Sequence, residues 1–207
     1  MMTSLELASP VGLIRISEHD GFIVELRFLW EGAPKPLPFK WGSAPNPAAP
    51  REVNSRSALP GRIRACAKRV PLAHSAPLRC GWDSDGVLHF GNQSVSALQE
   101  CTSQLKAYFA GELQDFTLPV KIGGTPFQQT VWKTLLTIPY GETIPYKELA
   151  VRIGNPKAIR AVGGANNKNP ISIILPCHRV IGSDGKLVGY GGGLDAKKFL
   201  LNLEKGE

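Results

Sequence analysis

Three consecutive residues carry the groups from which chemistry would be expected: Cys177, His178 and Arg179. A thiolate is a strong nucleophile, and a nearby histidine can act as its base. The apolar residues 172–175 predict a short strand, and Pro176 would end its ladder, so we expect Cys177 on a turn that faces a cleft. A free cysteine is otherwise most often a small buried hydrophobe, so position alone leaves both interpretations open.

The charge distribution favours a polyanionic partner for the C-terminal half. Residues 119–207 carry 12 Lys and Arg against 6 Asp and Glu, whereas residues 1–118 carry 12 against 11. A basic surplus confined to one half is typical of nucleic-acid contact, although on its own it establishes only solubility.

The composition is that of a globular protein. The chain has 207 residues, of which 43% are hydrophobic and 20% are charged, which suits one large domain or two small ones. No apolar run reaches the length of a membrane span, and the first residues lack the features of a signal peptide. We therefore expect no membrane partner, reduced cysteines and a cytoplasmic location, nucleoid-associated or, in a eukaryote, nuclear.

The other cysteines give no metal-binding pattern. No C-x-x-C pair occurs, which disfavours a zinc site. Potential ligands nevertheless lie in the N-terminal half, at Cys66, Cys80, Cys101, His19, His74 and His89. The sequence predicts no metal, and zinc in that half is the open alternative.

The N-terminal half begins with regular structure and then loses it. Residues 11–29 predict a hairpin that turns at residues 19–21, with the apolar face Phe22, Val24, Leu26 and Phe28. Residues 32–77 are rich in Pro, Ala, Ser and Arg without a sustained period, which indicates a loop or linker. Residues 81–92 predict one more short strand pair.

Helical spacing returns in the second half of the chain. A helix is predicted from Ser94 to about Gly111, and a second begins at the N-cap Thr125, with Pro126 and Gln128 completing a capping box, and runs to Ile138. We place the boundary between two domains in residues 118–125, which gives domains 1–118 and 119–207.

Two short helices then follow one another closely. Residues 146–153 form the first, which Gly154 ends, and the pair Asn155-Pro156 caps a second over residues 157–165. A three-residue turn between two helices is the plan of a helix-turn-helix. A last helix is predicted to begin at Asp195, with Leu194 and Phe199 as a hydrophobic staple.

The second short helix has unusually small side chains. Two adjacent glycines cost roughly 1 kcal/mol each relative to alanine inside a helix. Either another helix packs closely on this bare face, or the backbone enters a DNA groove with Arg160 as the one long side chain able to reach into the duplex. The positive charge nearby favours DNA.

Five ordered stretches resemble the O6-alkylguanine-DNA alkyltransferase family. They are PCHRV at 176–180, RAVGGA at 160–165 with NP at 169–170, FQxxVW at 127–132, IPxGxT at 138–143 and YxGGL at 190–194. The resemblance is dense over residues 94–204 and looser at residues 9–12. It implies an α/β protein with a small N-terminal sheet domain, ribonuclease H-like, and a C-terminal helical, winged-helix-like domain that contains the helix-turn-helix.

The resemblance also implies an activity: a guanine is flipped out of DNA, and its O6-alkyl group moves irreversibly onto Cys177, once per molecule. It makes Arg160 the residue that fills the gap left by the base, and Glu204 the residue that orients His178. Because neighbouring side chains normally point apart, a water would join His178 to Cys177. The resemblance implies no cofactor. The expected partner is double-stranded DNA that contains O6-alkylguanine, contacted in the minor groove. The protein is expected to act as a monomer.

Further roles follow from the same resemblance. Tyr146 would help to hold the base and Asn169 would brace the turn that carries Cys177. Further DNA contacts would come from Ala161, Gly163, Gly164, Ala165 and Asn166, and further pocket contacts from Val180, Tyr190 and Gly191. We expect Arg179 in a buried pairing, and Trp132 and Phe127 in the core.

Two other functions are compatible with parts of the pattern. A lesion-binding sensor would keep Arg160 and the pocket, although such relatives lack the cysteine. A cysteine hydrolase would use Cys177 and His178, and would turn over repeatedly. The sequence departs from the family at Pro145, where relatives often have Ser or Thr, and at Gly191, where the missing side chain would widen the pocket. It departs most in residues 32–76, whose irregularity puts the completeness of the first domain in doubt.

Overall fold

The computed structural model describes residues 1–29, 86–88 and 96–207. The predicted linker at 32–77 lies outside these residues, as do Cys66, Cys80, His74 and His89 and most of the predicted strand pair at 81–92. Within the described residues, no group of three His, Cys, Asp or Glu side chains could hold a metal ion. Among the same residues, no helix combines the length and apolar character that crossing a bilayer requires.

The N-terminal part of the chain is built on a five-stranded sheet of order β1-β2-β3-β5-β4. Its strands are β1 (Met2–Ser9), β2 (Gly12–His19), β3 (Phe22–Phe28), β4 (Val87–Leu88) and β5 (Val120–Lys121). The first three are antiparallel, and β5 joins β3 in parallel. The predicted hairpin of β2 and β3 is confirmed, and Asp20 and Gly21 both have positive φ, as a tight hairpin turn requires.

The predicted apolar face of β3 is wrong in its details. The register with β2 shifts between Ser17 and Glu18, so that Val24 is an extra residue. A bulge of this kind moves the following side chains to the other face of the sheet. Ile23 and Leu26 are therefore the fully buried residues of β3, while Val24 is only half-buried.

One helix, α1 (Ala97–Phe109), packs on this sheet, and four more form the second half of the fold. These four are α2 (Pro126–Leu135), α3 (Tyr146–Arg152), α4 (Ile159–Asn167) and α5 (Gly193–Lys205), with a 3₁₀ helix at Cys177–Arg179. The short strands β6 (Ile144–Pro145) and β7 (Val180–Ile181) pair in parallel beside α3. The capping box of α2 is present as predicted, although the helix ends at Leu135 and Ile138 packs from the turn beyond it.

The ends of two other helices differ from the prediction. α4 begins at Ile159 without a side-chain cap, so Asn155 lies in a longer turn between α3 and α4 rather than at the helix start. α5 begins at Gly193, and Leu194 and Phe199 are both exposed rather than joined as a buried staple. In both cases the side-chain pattern located the helix correctly but did not give its first residue, which is the least reliable part of such a prediction.

Candidate active site and DNA-reading helix

The nucleophile candidate Cys177 lies on a tight turn, not at the end of a strand. Ile173 has φ of 71°, and the N–H of Leu175 donates to the carbonyl oxygen of Ile171 at 3.0 Å. The predicted strand over residues 172–175 is therefore wrong: Ile173, Ile174 and Leu175 are apolar because they are buried, not because they pair in a sheet. A positive φ is costly for isoleucine, and strain of this kind is concentrated at functional sites.

The Asn169 side chain makes two hydrogen bonds to the backbone of this turn. Its side-chain nitrogen Nδ2 donates to the carbonyl oxygen of Leu175 at 2.7 Å, and its Oδ1 accepts from the N–H of Ile171 at 3.0 Å. A single buried amide thus ties both ends of the turn that leads to Cys177. The N–H of Cys177 itself donates to the carbonyl oxygen of Leu175 at 2.7 Å.

Strand β3 supports the same turn from the other side. The N–H of Leu26 donates to the carbonyl oxygen of Pro170 at 2.9 Å, and the N–H of Ser172 donates back to Leu26 at 3.0 Å. The sheet therefore fixes the backbone only five residues before Cys177.

His178 and Glu204 form a fully buried pair. Nε2 of His178 lies 2.7 Å from Oε1 of Glu204, and neither side chain is exposed. Burial raises the pKa of Glu204, but hydrogen bonds from His178 and Arg179 outweigh it and bring the pKa to about 2. An ionised carboxylate can only accept, so the proton between them belongs to Nε2 of His178.

The other ring nitrogen of His178 is then a proton acceptor. Burial, above all, lowers the pKa of His178, and the charges of Arg179 and Lys197 lower it further against the opposing effect of Glu204. The neutral ring has its lone pair on Nδ1, which is buried and has no hydrogen-bond partner among the described residues. The structure thus places a neutral base next to Cys177 in the chain.

The Cys177 thiol needs such a base. Its side chain is 3% exposed, and burial raises its pKa above the ordinary value. Hydrogen bonds from the side chains of Asn169 and Ser172 and the charge of Lys197 favour the thiolate but do not outweigh burial. At neutral pH the thiol is therefore protonated until a base takes its proton.

Sequence reasoning missed Lys197. Its ammonium group is buried and donates to the carbonyl oxygens of Val180 at 2.7 Å and Val188 at 2.9 Å. Burial lowers its pKa to about 8. The available signal was position, because Lys197 precedes Glu204 by seven residues on α5 and so shares its helical face.

A cavity of about 560 Å³ opens beside Cys177. It is lined by Arg27, Phe28, Gln128, Asn166, Asn167, Lys168, Asn169, Ser172, Cys177 and Gly191. Of the expected pocket residues, Gly191 lines this cavity, and a Cβ there would meet open space. Val180 and Tyr190 are buried and do not line it. The OH of Tyr146 lies 3.3 Å from Nδ2 of Asn166, which also donates to the carbonyl oxygen of Cys177.

The small-residue helix α4 has two different sides. Val162 and Ala165 are buried, and the indole N–H of Trp132 in α2 donates to the carbonyl oxygen of Ala165 at 2.8 Å. Arg160, Ala161 and Gly164 are exposed, and Gly163 lies against the ring of Tyr146. Close helix packing and a bare outer surface therefore occur together, on opposite sides of one helix.

The family models match the chain in two parts. Residues 126–206 match the 6-O-methylguanine DNA methyltransferase DNA binding domain, and residues 74–122 match the ribonuclease-like domain of the same enzyme. A methylated-DNA--protein-cysteine methyltransferase of Methanosarcina barkeri is 64% identical over 107 residues, which is 52% of this chain and 68% of the relative. One from Mycobacterium leprae is 55% identical over 129 residues, 62% of this chain and 73% of the relative.

The chain belongs to this methyltransferase family. The structure of the Mycobacterium tuberculosis O6-methylguanine methyltransferase resembles it with a TM-score of 0.65 at 38% identity, covering 99% of this chain and 93% of that one. The resemblance read from the sequence is confirmed, as are the two kinds of domain that it implied. The Pyrococcus kodakaraensis enzyme, at 19% identity and a TM-score of 0.53, shares the fold.

A close contact joins strand β3 of this methyltransferase to its glycine-rich loop, residues 189–193. A Cβ built on Gly192 would lie 2.6 Å from Cδ2 of Phe28, whose ring also packs edge-on against Tyr190, with centroids 5.6 Å apart. No such contact exists at Gly191. Gly192 is therefore needed for packing, whereas Gly191 leaves room in the cavity.

We expect Gly192→Ala to destabilise the protein by about 1–3 kcal/mol, because Phe28 must move. The matched Gly191→Ala should change the free energy of unfolding by less than about 0.5 kcal/mol. Chemical denaturation of the two variants measures this difference, and equal stabilities would contradict the packing role of Gly192.

The buried carboxylate predicts how stability depends on acid. The pKa of Glu204 falls from 4.5 to about 2 on folding, so its contribution is complete above pH 4.5 and is lost as the pH falls toward 2. We expect that loss to be on the order of 3 kcal/mol in the unmodified protein and absent in Glu204→Gln. Denaturation curves over this pH range, with the exposed Glu6→Gln as control, measure it; parallel curves for Glu204→Gln and the unmodified protein would refute it.

Proposed function

We propose that Cys177 is the acceptor in a single-turnover DNA repair reaction. The Sγ thiolate attacks the carbon bound to O6 of guanine, an S–C bond forms as the C–O6 bond breaks, and the leaving guanine takes up one proton to balance the one lost by Cys177. Nothing regenerates the thiol, so each molecule acts once. The observation that carries the proposal is a buried thiol that lines a cavity and is followed directly by a buried His–Glu pair.

His178 acts as the base in this proposal. Its neutral ring presents Nδ1 as a buried acceptor, and a water between Nδ1 and Sγ would carry the proton that the thiol must lose. Glu204 holds the ring through Nε2 and stabilises the imidazolium that forms. Lys197 and the side chains of Asn169 and Ser172 favour the thiolate at the moment of attack.

The partner is double-stranded DNA, contacted by α4. The C-terminal match is to a DNA binding domain, and the Mycobacterium tuberculosis relative has been solved in complex with DNA. The exposed small residues Ala161 and Gly164 would let the backbone approach the minor groove, with Arg160 entering the base stack. Gly163, Ala165 and Asn166 would support the same helix on the side that packs against the protein.

The flipped guanine is held in the cavity beside Cys177 in this arrangement. Tyr146 would contact the flipped guanine, Val180 and Tyr190 would form the wall behind it, and Gly191 would leave room for the alkyl group. We further propose that the protein acts as a monomer where cellular DNA lies, in the nucleoid of a bacterial or archaeal cytoplasm or in a eukaryotic nucleus. Its functional division falls into residues 1–118 and 119–207, close to the gap between the two family matches.

The first test is the mass of the intact protein after incubation with excess duplex DNA that contains O6-methylguanine. We expect a gain of one methylene group per molecule, mapped to Cys177 by peptide analysis and absent in Cys177→Ala. Tight binding of the lesion without any mass gain would instead support a non-repairing sensor, and continued turnover would support a hydrolase.

A second test separates base flipping from chemistry. Extruding a base costs a few kcal/mol, so Arg160→Ala should slow transfer from duplex DNA about tenfold or more. It should leave transfer from the free base O6-benzylguanine unchanged, because no flipping is needed there. Single-turnover rates with both substrates measure this, with the exposed Lys157→Ala as control; equal slowing with both substrates would overturn the role of Arg160.

A further inference from the structure

Tyr108 reaches the active site from the N-terminal part of the chain. It lies on α1, its side chain is fully buried, and its hydroxyl donates to Oε1 of Glu204 at 2.7 Å. The two residues are 96 positions apart in the chain. None of the sequence motifs pointed to Tyr108, because its spacing on α1 is that of an ordinary core residue.

The contact is part of a crowded set of hydrogen bonds. Oε1 of Glu204 accepts from Tyr108, from Nε2 of His178 and from Nη2 of Arg179 at 2.9 Å. Oε2 accepts from Nε of Arg179 at 2.8 Å and from the N–H of Gly141 at 3.2 Å. Tyr108 and His178 therefore share one oxygen atom, and whatever changes one of these hydrogen bonds changes the other.

We propose that Tyr108 is a positioning residue for alkyl transfer, because its hydroxyl holds Oε1 of Glu204 against His178 and limits how strongly that oxygen binds the His178 proton. The inference rests on the proposed role of His178 as base. It assigns to the N-terminal part of the chain a direct share in the chemistry of the C-terminal part.

The physical reason is competition for one acceptor. When a donor to a buried carboxylate is removed, the remaining hydrogen bonds to it become stronger. Without the Tyr108 hydroxyl, Glu204 would hold the imidazolium form of His178 more tightly, and His178 would become neutral only at a higher pH. A base that is still protonated cannot accept the proton of Cys177, so transfer would slow on the acid side of neutral pH.

Other titratable or charged groups surround this network. Those that face Glu204 or His178 are Tyr140 from the turn after α2, Cys177 and Arg179 from the 3₁₀ helix, Tyr190 from the glycine-rich loop and Lys197 from α5. Tyr140 offers a matched control. Its ring lies 5.6 Å from the guanidinium of Arg179 and packs edge-on against Tyr108, yet its hydroxyl makes no hydrogen bond to Glu204.

The experiment compares Tyr108→Phe with Tyr140→Phe, each of which removes one hydroxyl and keeps the ring. The rate of single-turnover methyl transfer is measured as a function of pH, and the pKa of His178 is followed by NMR of its ring. For Tyr108→Phe we expect transfer on the acid limb of the pH profile to fall between about threefold and tenfold. We also expect the acid limb of the pH profile and the His178 titration to move to higher pH, whereas Tyr140→Phe should match the unmodified protein.

Further measurements keep the outcome decisive. If Tyr108→Phe does not fold, replacement of Tyr108 by 3-fluorotyrosine, a stronger donor of the same shape, should move the His178 titration to lower pH. An unchanged His178 titration and pH profile, with only reduced stability, would overturn the proposal and leave Tyr108 as a core residue. Failure of the unmodified protein to accept a methyl group would instead overturn the proposed function, and the NMR titration would still test Tyr108.

Discussion

The carboxylate of Glu204 is a negative charge in the protein interior, and hydrogen bonds from several separate elements of the structure stabilise it. Moving an ion out of water costs several kcal/mol even after the protein has relaxed, and only good hydrogen-bond geometry offsets this. Glu204 accepts five hydrogen bonds, two of them from the guanidinium of Arg179. Arg179 in turn donates to the carbonyl oxygen of Ile138 at 2.6 Å, which fixes the turn after α2. The same charge defines which nitrogen of His178 carries the proton.

The N-terminal part of the chain contacts the site at three separate places, through helix α1 and strand β3. α1 donates a hydrogen bond through Tyr108, the backbone of Leu26 pairs with residues 170 and 172, and Phe28 packs on Gly192. These contacts reach Glu204, the turn that precedes Cys177 and the loop at Gly192. Part of the geometry of the C-terminal residues therefore depends on the N-terminal part of the chain.

The sequence predicted the parts of this protein that depend on local rules. The capping box at Thr125, the tight turn at Asp20 and Gly21 and the stop at Gly154 were all legible, because each depends on the backbone preferences of a few adjacent residues. Ile173 was misread because burial and strand pairing both select β-branched residues, and only the backbone angle separates them. Lys197 and Tyr108 were missed since their importance comes from partners distant in the chain. Cys177 and His178 stood out by residue type and spacing, but their roles, and Glu204 as the partner of His178, came from the family resemblance, which records such long-range contacts.

The two glycines of α4 have a consequence for how this protein acquires its shape. A nine-residue segment with Gly163 and Gly164 at its centre has little tendency to be helical alone, since short isolated helices are marginal even for alanine-rich sequences. The helix is therefore stabilised by contacts with the rest of the protein, namely the burial of Val162 and the hydrogen bond from the indole of Trp132. The surface that we propose to approach DNA therefore depends on the core beneath it, because α4 is ordered only when it is docked on α2.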